Sequence, residues 1–134
     1  MTGTSSSTGP GPDVPGPGGS AVLGAMAVLA ATRCALEARL VEAATLTVTA
    51  TGAGLLADKG FTSLTELSTG QVKKWRAETK RLTCAELEVT LGLGVGEARE
   101  LVTAACAPPA VRDLVITALD RAWVTWWQIR AFLK

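Results

Sequence analysis

The stretch of residues 83–106 most constrains how this chain folds, because it holds two helix signals separated by a glycine-rich link. Thr83 and Glu86 match the T-x-x-E capping box, which predicts that a helix begins there. Gly92 is the residue type that closes a helix in the left-handed conformation. A second helix is predicted from Glu97, whose charge suits a helix N-terminus, up to the proline pair that follows. Two short helices joined by a tight turn form a helix-turn-helix-like hairpin.

Upstream, the sequence predicts one long helix. Ser20 is a suitable N-cap, and the helix is expected to fray in a β-branched run before Gly52 and Gly54. Its apolar residues recur at helical spacing, and we expect them to face an intramolecular core rather than a partner helix. These residues are Val22, Met26, Leu29, Leu36, Leu40 and Ala43.

Further capping signals predict shorter helices around the hairpin. Ser63 and Ser68 each begin a capping-box match, the second of which starts a helix that runs to about Leu82. Residues 110–120 form another helix, and Thr125 caps the last one. The predicted fold class is therefore all-α, a small multi-helix domain built around the helix-turn-helix-like hairpin.

The first part of the chain has a different composition. Residues 1–19 are almost entirely Gly, Pro, Ser and Thr, so we expect a disordered tail that precedes a helical domain over residues 20–134. The first basic residue is Arg33, which argues against a signal peptide. The apolar run 21–31 is shorter than a membrane span and charged residues follow it. We therefore expect a cytoplasmic protein that does not enter a membrane.

Composition argues against the common kinds of catalytic site. The chain has no His, and its net charge is +1. Its three cysteines, Cys34, Cys84 and Cys106, are odd in number and far apart, which disfavours a disulfide framework or a zinc site. We expect reduced thiols in helix cores, with no catalytic residue, no metal ligand and no cofactor.

A concentration of basic residues lies on the predicted helix that contains Trp75. Two interpretations stay open: a solvated face opposite a buried Trp75, which we favour, or a stripe that contacts phosphates. The hairpin itself is net negative, so we do not expect its second helix to bind DNA. The candidate phosphate contacts are Lys73, Lys74, Arg76, Lys80 and Arg81.

The C-terminal helix is rich in aromatic residues. Trp126, Ile129 and Leu133 form one stripe, which we expect to pack on the 110–120 helix, whereas Trp127 points away from it. This predicts an exposed apolar patch that self-associates or docks on a downstream segment, and the chain reads as a domain truncated at its C-terminus. The candidate interaction patch is Trp123, Trp126, Trp127 and Phe132.

Several short motifs along residues 75–132 occur in a characteristic order. They are Ala85-Glu86-Leu87, Leu91-Gly92-Leu93, Gly96-Glu97-Ala98-Arg99-Glu100-Leu101-Val102 with Ala104 and Ala105, Pro109, Ala118-Leu119 and Val124-Thr125-Trp126. This order resembles the thirteen-E-twelve repeat family, a helical domain of unknown function that precedes HNH endonuclease modules. One departure lies in the turn Arg121-Ala122-Trp123, where the family usually has Gly and a non-Gly residue costs on the order of 1 kcal/mol.

The resemblance implies the N-terminal helical domain of an HNH endonuclease-related protein, in the setting of DNA hydrolysis. A chain without His cannot hold the HNH module, so the expected domain is non-catalytic by itself. DNA remains one candidate partner. The alternative is a helical protein-interaction or dimerisation module that uses the aromatic C-terminus.

Overall fold

The computed structural model describes residues 17–134, and all regular structure in that part of the chain is helical. The predicted all-α class is therefore confirmed. The helices are α1 Pro17–Asp58, α2 Thr69–Leu91, α3 Val95–Ala105, α4 Pro109–Asp120 and α5 Trp126–Leu133, with a single 3₁₀ turn, Leu64–Glu66, between α1 and α2.

The boundaries of α1 differ from the prediction at both ends. The helix begins at Pro17, so residues 17–19 are helical, and the predicted tail over residues 1–16 lies outside the described residues. It also continues through the threonine-rich run without fraying. The hydroxyls of Thr45, Thr47 and Thr49 donate to the carbonyls four residues earlier, which satisfies these side chains within the helix.

α1 ends in a Schellman motif rather than at the predicted glycines. The backbone N–H of Gly60 donates to the carbonyl of Ala57 at 3.0 Å, and that of Phe61 donates to Leu56 at 2.9 Å. Gly60 takes φ 81°, a value that favours glycine because it has no Cβ. The helix stops where the chain can reverse, not at the first glycine in the sequence.

The face of α1 that forms the core is not the one predicted from its larger apolar residues. Val22, Met26, Leu29 and Leu36 are all exposed. Small side chains face the core instead, because they let three neighbouring helices approach the α1 backbone closely. The core stripe of α1 consists of Cys34, Ala38, Val41, Ala44, Gly52 and Leu56.

α2 is one continuous helix, and the predicted helix start at Thr83 is wrong. Thr83 is fully buried in the middle of α2, where its hydroxyl donates to the carbonyl of Thr79 at 2.7 Å. A capping box requires a break in the helix, and here the hydroxyl has a partner within the helix instead. The start of α2 is as predicted, since Ser68 and Gln71 form a complete capping box.

The predicted turn between α2 and α3 is found. Gly92 closes α2 with φ 65°, and the Glu97 carboxylate accepts from the N–H of Gly94 at the start of α3. The hairpin is therefore present, but the fold is not organised around it. α1 packs against α2, α3 and α4, and the core lies along α1.

The shared core draws on all five helices. Its α1 members are joined by Leu87 of α2 and by buried residues of α3, α4 and α5. Those residues are Ala98, Leu101, Val102, Ala104, Ala105, Val115, Leu119 and Ile129. An ion pair between Arg39 of α1 and Asp120 at the end of α4 lies at the rim of this core and is exposed to solvent.

A close contact between α1 and α2 explains one buried glycine. The indole N–H of Trp75 donates to the carbonyl of Gly52 at 2.9 Å, and a Cβ on Gly52 would lie 2.7 Å from the Trp75 ring. Trp75 is half-buried in this contact, whereas the sequence predicted a buried side chain. Gly54, two residues further along, has open space at its Cβ position.

α5 follows a second Schellman motif, in which the glycine position is filled by Ala122. The N–H of Ala122 donates to Leu119 at 3.0 Å, that of Trp123 donates to Ala118 at 2.9 Å, and Ala122 has φ 54°. The turn directs α5 toward α3, and Ile129 of the Trp126 stripe joins a core cluster that includes Val115 and Leu119 of α4.

We predict that Gly52→Ala destabilises the fold, whereas Gly54→Ala does not. The new methyl at residue 52 overlaps the Trp75 ring, and such overpacking typically costs about 1–3 kcal/mol. Gly54→Ala should gain up to about 1 kcal/mol through helix propensity. Urea denaturation measures both. Equal effects of the two changes would contradict the assigned contact.

We predict that Ala122→Gly stabilises the fold by about 1 kcal/mol, because glycine takes a left-handed conformation without steric penalty. Ala77→Gly on the exposed side of α2 is the matched control and should lose about 1 kcal/mol. Thermal denaturation should show a higher melting temperature for Ala122→Gly and a lower one for Ala77→Gly. A destabilised Ala122→Gly variant would show that the backbone at Ala122 is not strained.

Candidate interaction surface

The aromatic residues of the C-terminus divide between the core and the surface. Trp126 is half-buried and packs with Ile129 against the core, whereas Trp123 and Phe132 are exposed. Trp127 is 71% exposed, as the helical spacing predicted. Three of the four residues of the candidate patch therefore lie on the outer surface.

Local sequence fixes α5 in this orientation. Thr125 and Gln128 form a complete capping box, so the helix begins with Trp126 and Trp127 in its first turn. The Arg130 guanidinium pairs with Glu100 of α3 and lies 4.8 Å from the centroid of the Trp127 ring. One face of Trp127 is thus held by a cation–π contact while the rest of the indole faces solvent.

A second apolar surface lies on α1. Residues 18–33, which we call the arm, are all exposed and make up the first four to five turns of the helix. The arm contains no charged side chain before Arg33. Leu29 is 68% exposed. The exposed large residues of the arm are Val22, Leu23, Met26, Val28 and Leu29.

The arm and α5 meet at one cleft of ≈ 330 Å³, which we call the arm cleft. The Cys34 thiol lies at its base and donates to the carbonyl of Val124 at 3.6 Å, which joins α1 to the turn before α5. The residues that line the cleft are Ala30, Arg33, Cys34, Glu37, Thr125, Trp126, Trp127 and Arg130. One wall is the root of the arm, and the opposite wall is the first turn of α5.

Burial in this cleft affects its acidic side chain. Partial burial raises the pKa of Glu37, and the positive charge of Arg33 opposes this only in part. The cleft therefore combines the apolar side chains of Ala30, Trp126 and Trp127 with a partly buried carboxylate and two guanidinium groups, those of Arg33 and Arg130.

The arm continues the core stripe of α1 in helical phase. Leu23, Ala27 and Ala30 precede Cys34 and Ala38 at spacings of four, three, four and four residues, so they lie on the same side of the helix. Cys34 and Ala38 are covered by the other helices, whereas the three arm residues are exposed. The core face of α1 is therefore longer than the set of helices that covers it.

The candidate phosphate contacts lie on the outer side of α2. Lys73, Arg76 and Lys80 line one shallow groove, together with Thr69, Val72 and Ala77. Arg81 is instead paired with Glu78, and this hydrogen bond lowers the pKa of the Glu78 carboxyl. Lys74 is exposed outside the groove. The structure brings together three of the five predicted basic residues.

Potential metal ligands are scattered in the part of the chain that the structure describes. No group of three or more acidic or cysteine side chains is placed to hold a metal ion in that part of the chain. Burial raises the pKa of the Cys84 thiol, with a further contribution from Glu88, and burial likewise raises that of Cys106. Both thiols are therefore poor nucleophiles near neutral pH.

Sequence reasoning missed the arm. It assigned Val22, Met26 and Leu29 to a core because they recur at helical spacing, yet spacing alone does not show what packs on a face. The interval without charge before Arg33 was visible in the sequence, but residues 43–57 of the same helix are equally uncharged and contribute to the core, so absence of charge did not by itself single out the arm.

By length and composition, α1 could cross a membrane, and α3 with α4 would pass the same test only as a pair bent by 118°. The run 21–31 lies within a 42-residue helix, so its shortness in the sequence no longer argues against a bilayer. No other helix of the described residues passes this test.

No protein-family model, curated protein or solved structure matches this chain significantly.

Proposed function

We propose that this chain is a non-catalytic helical interaction module that binds an apolar helix in the arm cleft. The observation that carries the proposal is the placement of two exposed apolar surfaces, the arm and Trp127, on opposite walls of one cleft. Exposed apolar patches of this kind mark sites that interact with other proteins, with ligands or with membranes. An apolar helix lying in a groove is a common mode of recognition.

The phase of the arm supports a protein partner. Because Leu23, Ala27 and Ala30 continue the core stripe, a helix packed there would extend the core that α3 and α5 begin. A bilayer would not require this register. The proposal therefore includes a cytoplasmic location without membrane insertion, and it needs no metal or cofactor.

The resemblance to the thirteen-E-twelve repeat family suggests a setting for this module, beside an HNH endonuclease. Three motif positions support the suggestion, because each lies at a helix junction where the family pattern expects one. Pro109 begins α4, Ala118-Leu119 leads into the Schellman turn, and Thr125 caps α5. In this setting the module supplies assembly, and the nuclease chemistry belongs to a different module.

A selection experiment tests the cleft directly. A displayed library of helical peptides is selected on the wild-type chain and counter-selected on Ala30→Glu, which places a charge in the cleft wall. We expect enriched peptides with apolar residues at i, i+3 and i+7, and binding at least about tenfold weaker to the variant, or about 1.4 kcal/mol. Titration calorimetry measures the affinities.

The matched control is Ala85→Glu, which adds the same charge at an exposed alanine of α2. This variant should bind the selected peptides as the wild type does. If no peptide prefers the wild type over Ala30→Glu, or if both variants lose binding equally, the arm cleft is not the binding surface.

We propose DNA as a second, weaker partner, on the observation that Lys73, Arg76 and Lys80 share one groove whose lining includes no acidic side chain. Three cations at the spacing of a helix face suit contacts with phosphates along one strand. This function would not depend on the arm cleft.

Replacing Lys73, Arg76 and Lys80 by Ala should leave the melting temperature unchanged, because all three are exposed. If the groove binds duplex DNA, the change should reduce the salt dependence of binding by roughly one unit of log–log slope for each lost contact. Fluorescence anisotropy with a labelled duplex measures this, with Lys59→Ala as a control outside the groove. Equal binding by the triple variant would exclude the groove.

A further inference from the structure

We infer that the occupant of the arm cleft is the arm of a second copy of this chain, so that two copies form a symmetric dimer with antiparallel arms. This inference rests on the proposed function and names its partner. The arm is both a wall of the cleft and an apolar helix, without charge before Arg33, of the kind that the cleft would take. When the same region of each copy both inserts into the partner and receives it, the interface is two-fold symmetric and self-complementary.

The shape of the arm fits the cleft of the other copy. The first full turn of the arm after Pro17, Gly18 to Ala21, carries only small side chains before Val22, which suits the small volume of the cleft, ≈ 330 Å³. In an antiparallel pair the tip of each arm reaches the root of the other, where the cleft lies. Met26, near the middle of the arm, then lies close to the two-fold axis.

The electrostatics of the cleft also suit this occupant. Residues 18–32 of the arm bring no charged side chain toward Arg33, Glu37 or Arg130 in the cleft of the other copy. Instead, the arm presents the positive end of its helix dipole at its N-terminal tip. That end would lie near the half-buried carboxylate of Glu37, whose negative charge it stabilises, and also near Arg33 and Arg130, of which Arg130 is already paired with Glu100.

The surface area that a stable dimer must bury requires both the arm and Trp127. An arm is a cylinder about 25 Å long and about 10 Å wide, so one neighbouring helix covers roughly 400 Å² of it, or roughly 800 Å² over two copies. This is below the roughly 1,200–2,000 Å² of a stable interface. Each copy also exposes Trp127, and a buried aromatic side chain contributes about 150–250 Å². The dimer reaches a stable size only when each arm contacts the partner's aromatic helix as well.

Analytical ultracentrifugation of the full chain over a range of concentrations tests the dimer. We expect the mass of two chains for the wild type and at least about tenfold weaker association for Met26→Glu. Val89→Glu is the matched control, because it makes the same kind of change at an exposed apolar residue of α2. It should dimerise as the wild type does, and circular dichroism should show that both variants keep their helix content.

A cross-linking experiment tests the arrangement without disturbing the fold. In a Cys106→Ala background, which removes the exposed native thiol, Met26→Cys should form a disulfide between two copies under mild oxidation. Val89→Cys in the same background should not. A wild type that stays monomeric at all concentrations, or cross-linking that is equal at the two positions, would overturn the antiparallel dimer.

Two outcomes separate this inference from the proposed function. A monomeric wild type that still selects apolar helical peptides would reject the dimer and keep the interaction module. A chain that stays monomeric in solution but sediments with phosphatidylcholine vesicles, and loses this with Met26→Glu, would reject the dimer in favour of a lipid-bound arm. Failure of both the selection and the dimer would reject both proposals.

Discussion

Close packing against the small side chains of α1 is the interaction on which the rest of the fold depends. Ala38, Val41 and Ala44 are fully buried, and α2, α3 and α4 all approach the helix along this stripe. Close approach removes room for larger groups, which is why the Trp75 ring meets a glycine at residue 52. The contacts are individually weak dispersion interactions, but they are numerous where helices lie this close. A fold with this core needs no large aromatic residue at its centre.

This core also explains how much of the fold the sequence predicted. Helix ends that depend on local hydrogen bonds were predictable, as Ser68, Gly92 and Thr125 show, because a cap is decided by residues within one turn. The continuity of α2 could not be predicted, because the T-x-x-E pattern at Thr83 is the same in sequence whether or not a helix breaks there. Tertiary packing decided it: Thr83 is fully buried and Leu87, one turn later, belongs to the core.

The candidate surface was predictable in part for the same reason. Exposure of Trp127 followed from helical spacing within α5 alone. Exposure of the arm depended on which face of α1 the other helices cover. From the sequence we expected the large apolar residues of α1 to face the core, rather than its small ones. By hydrophobicity, Leu29 is a better core residue than Ala38. The fold nevertheless buries Ala38 and exposes Leu29, because helices that approach closely require small side chains between them. The cleft lies between α5 and α1, so of its eight lining residues only Trp126 and Trp127 were identified from the sequence as interaction candidates.

The arm connects stability with binding. It has no tertiary contact comparable to the core stripe, and it contains Gly18, Gly19 and Gly24, each of which disfavours helix by about 1 kcal/mol relative to alanine. A helical segment of this length is marginal in water by itself. The arm is therefore helical chiefly as an extension of the folded part of α1, and it gains stability when a partner covers it. In the proposed dimer, part of the free energy of docking would go into ordering the arm, which would lower affinity but make helix formation and partner binding a single coupled event. The glycines of the arm would set the strength of this coupling, because they weaken the free helix without adding bulk that the cleft would have to accept.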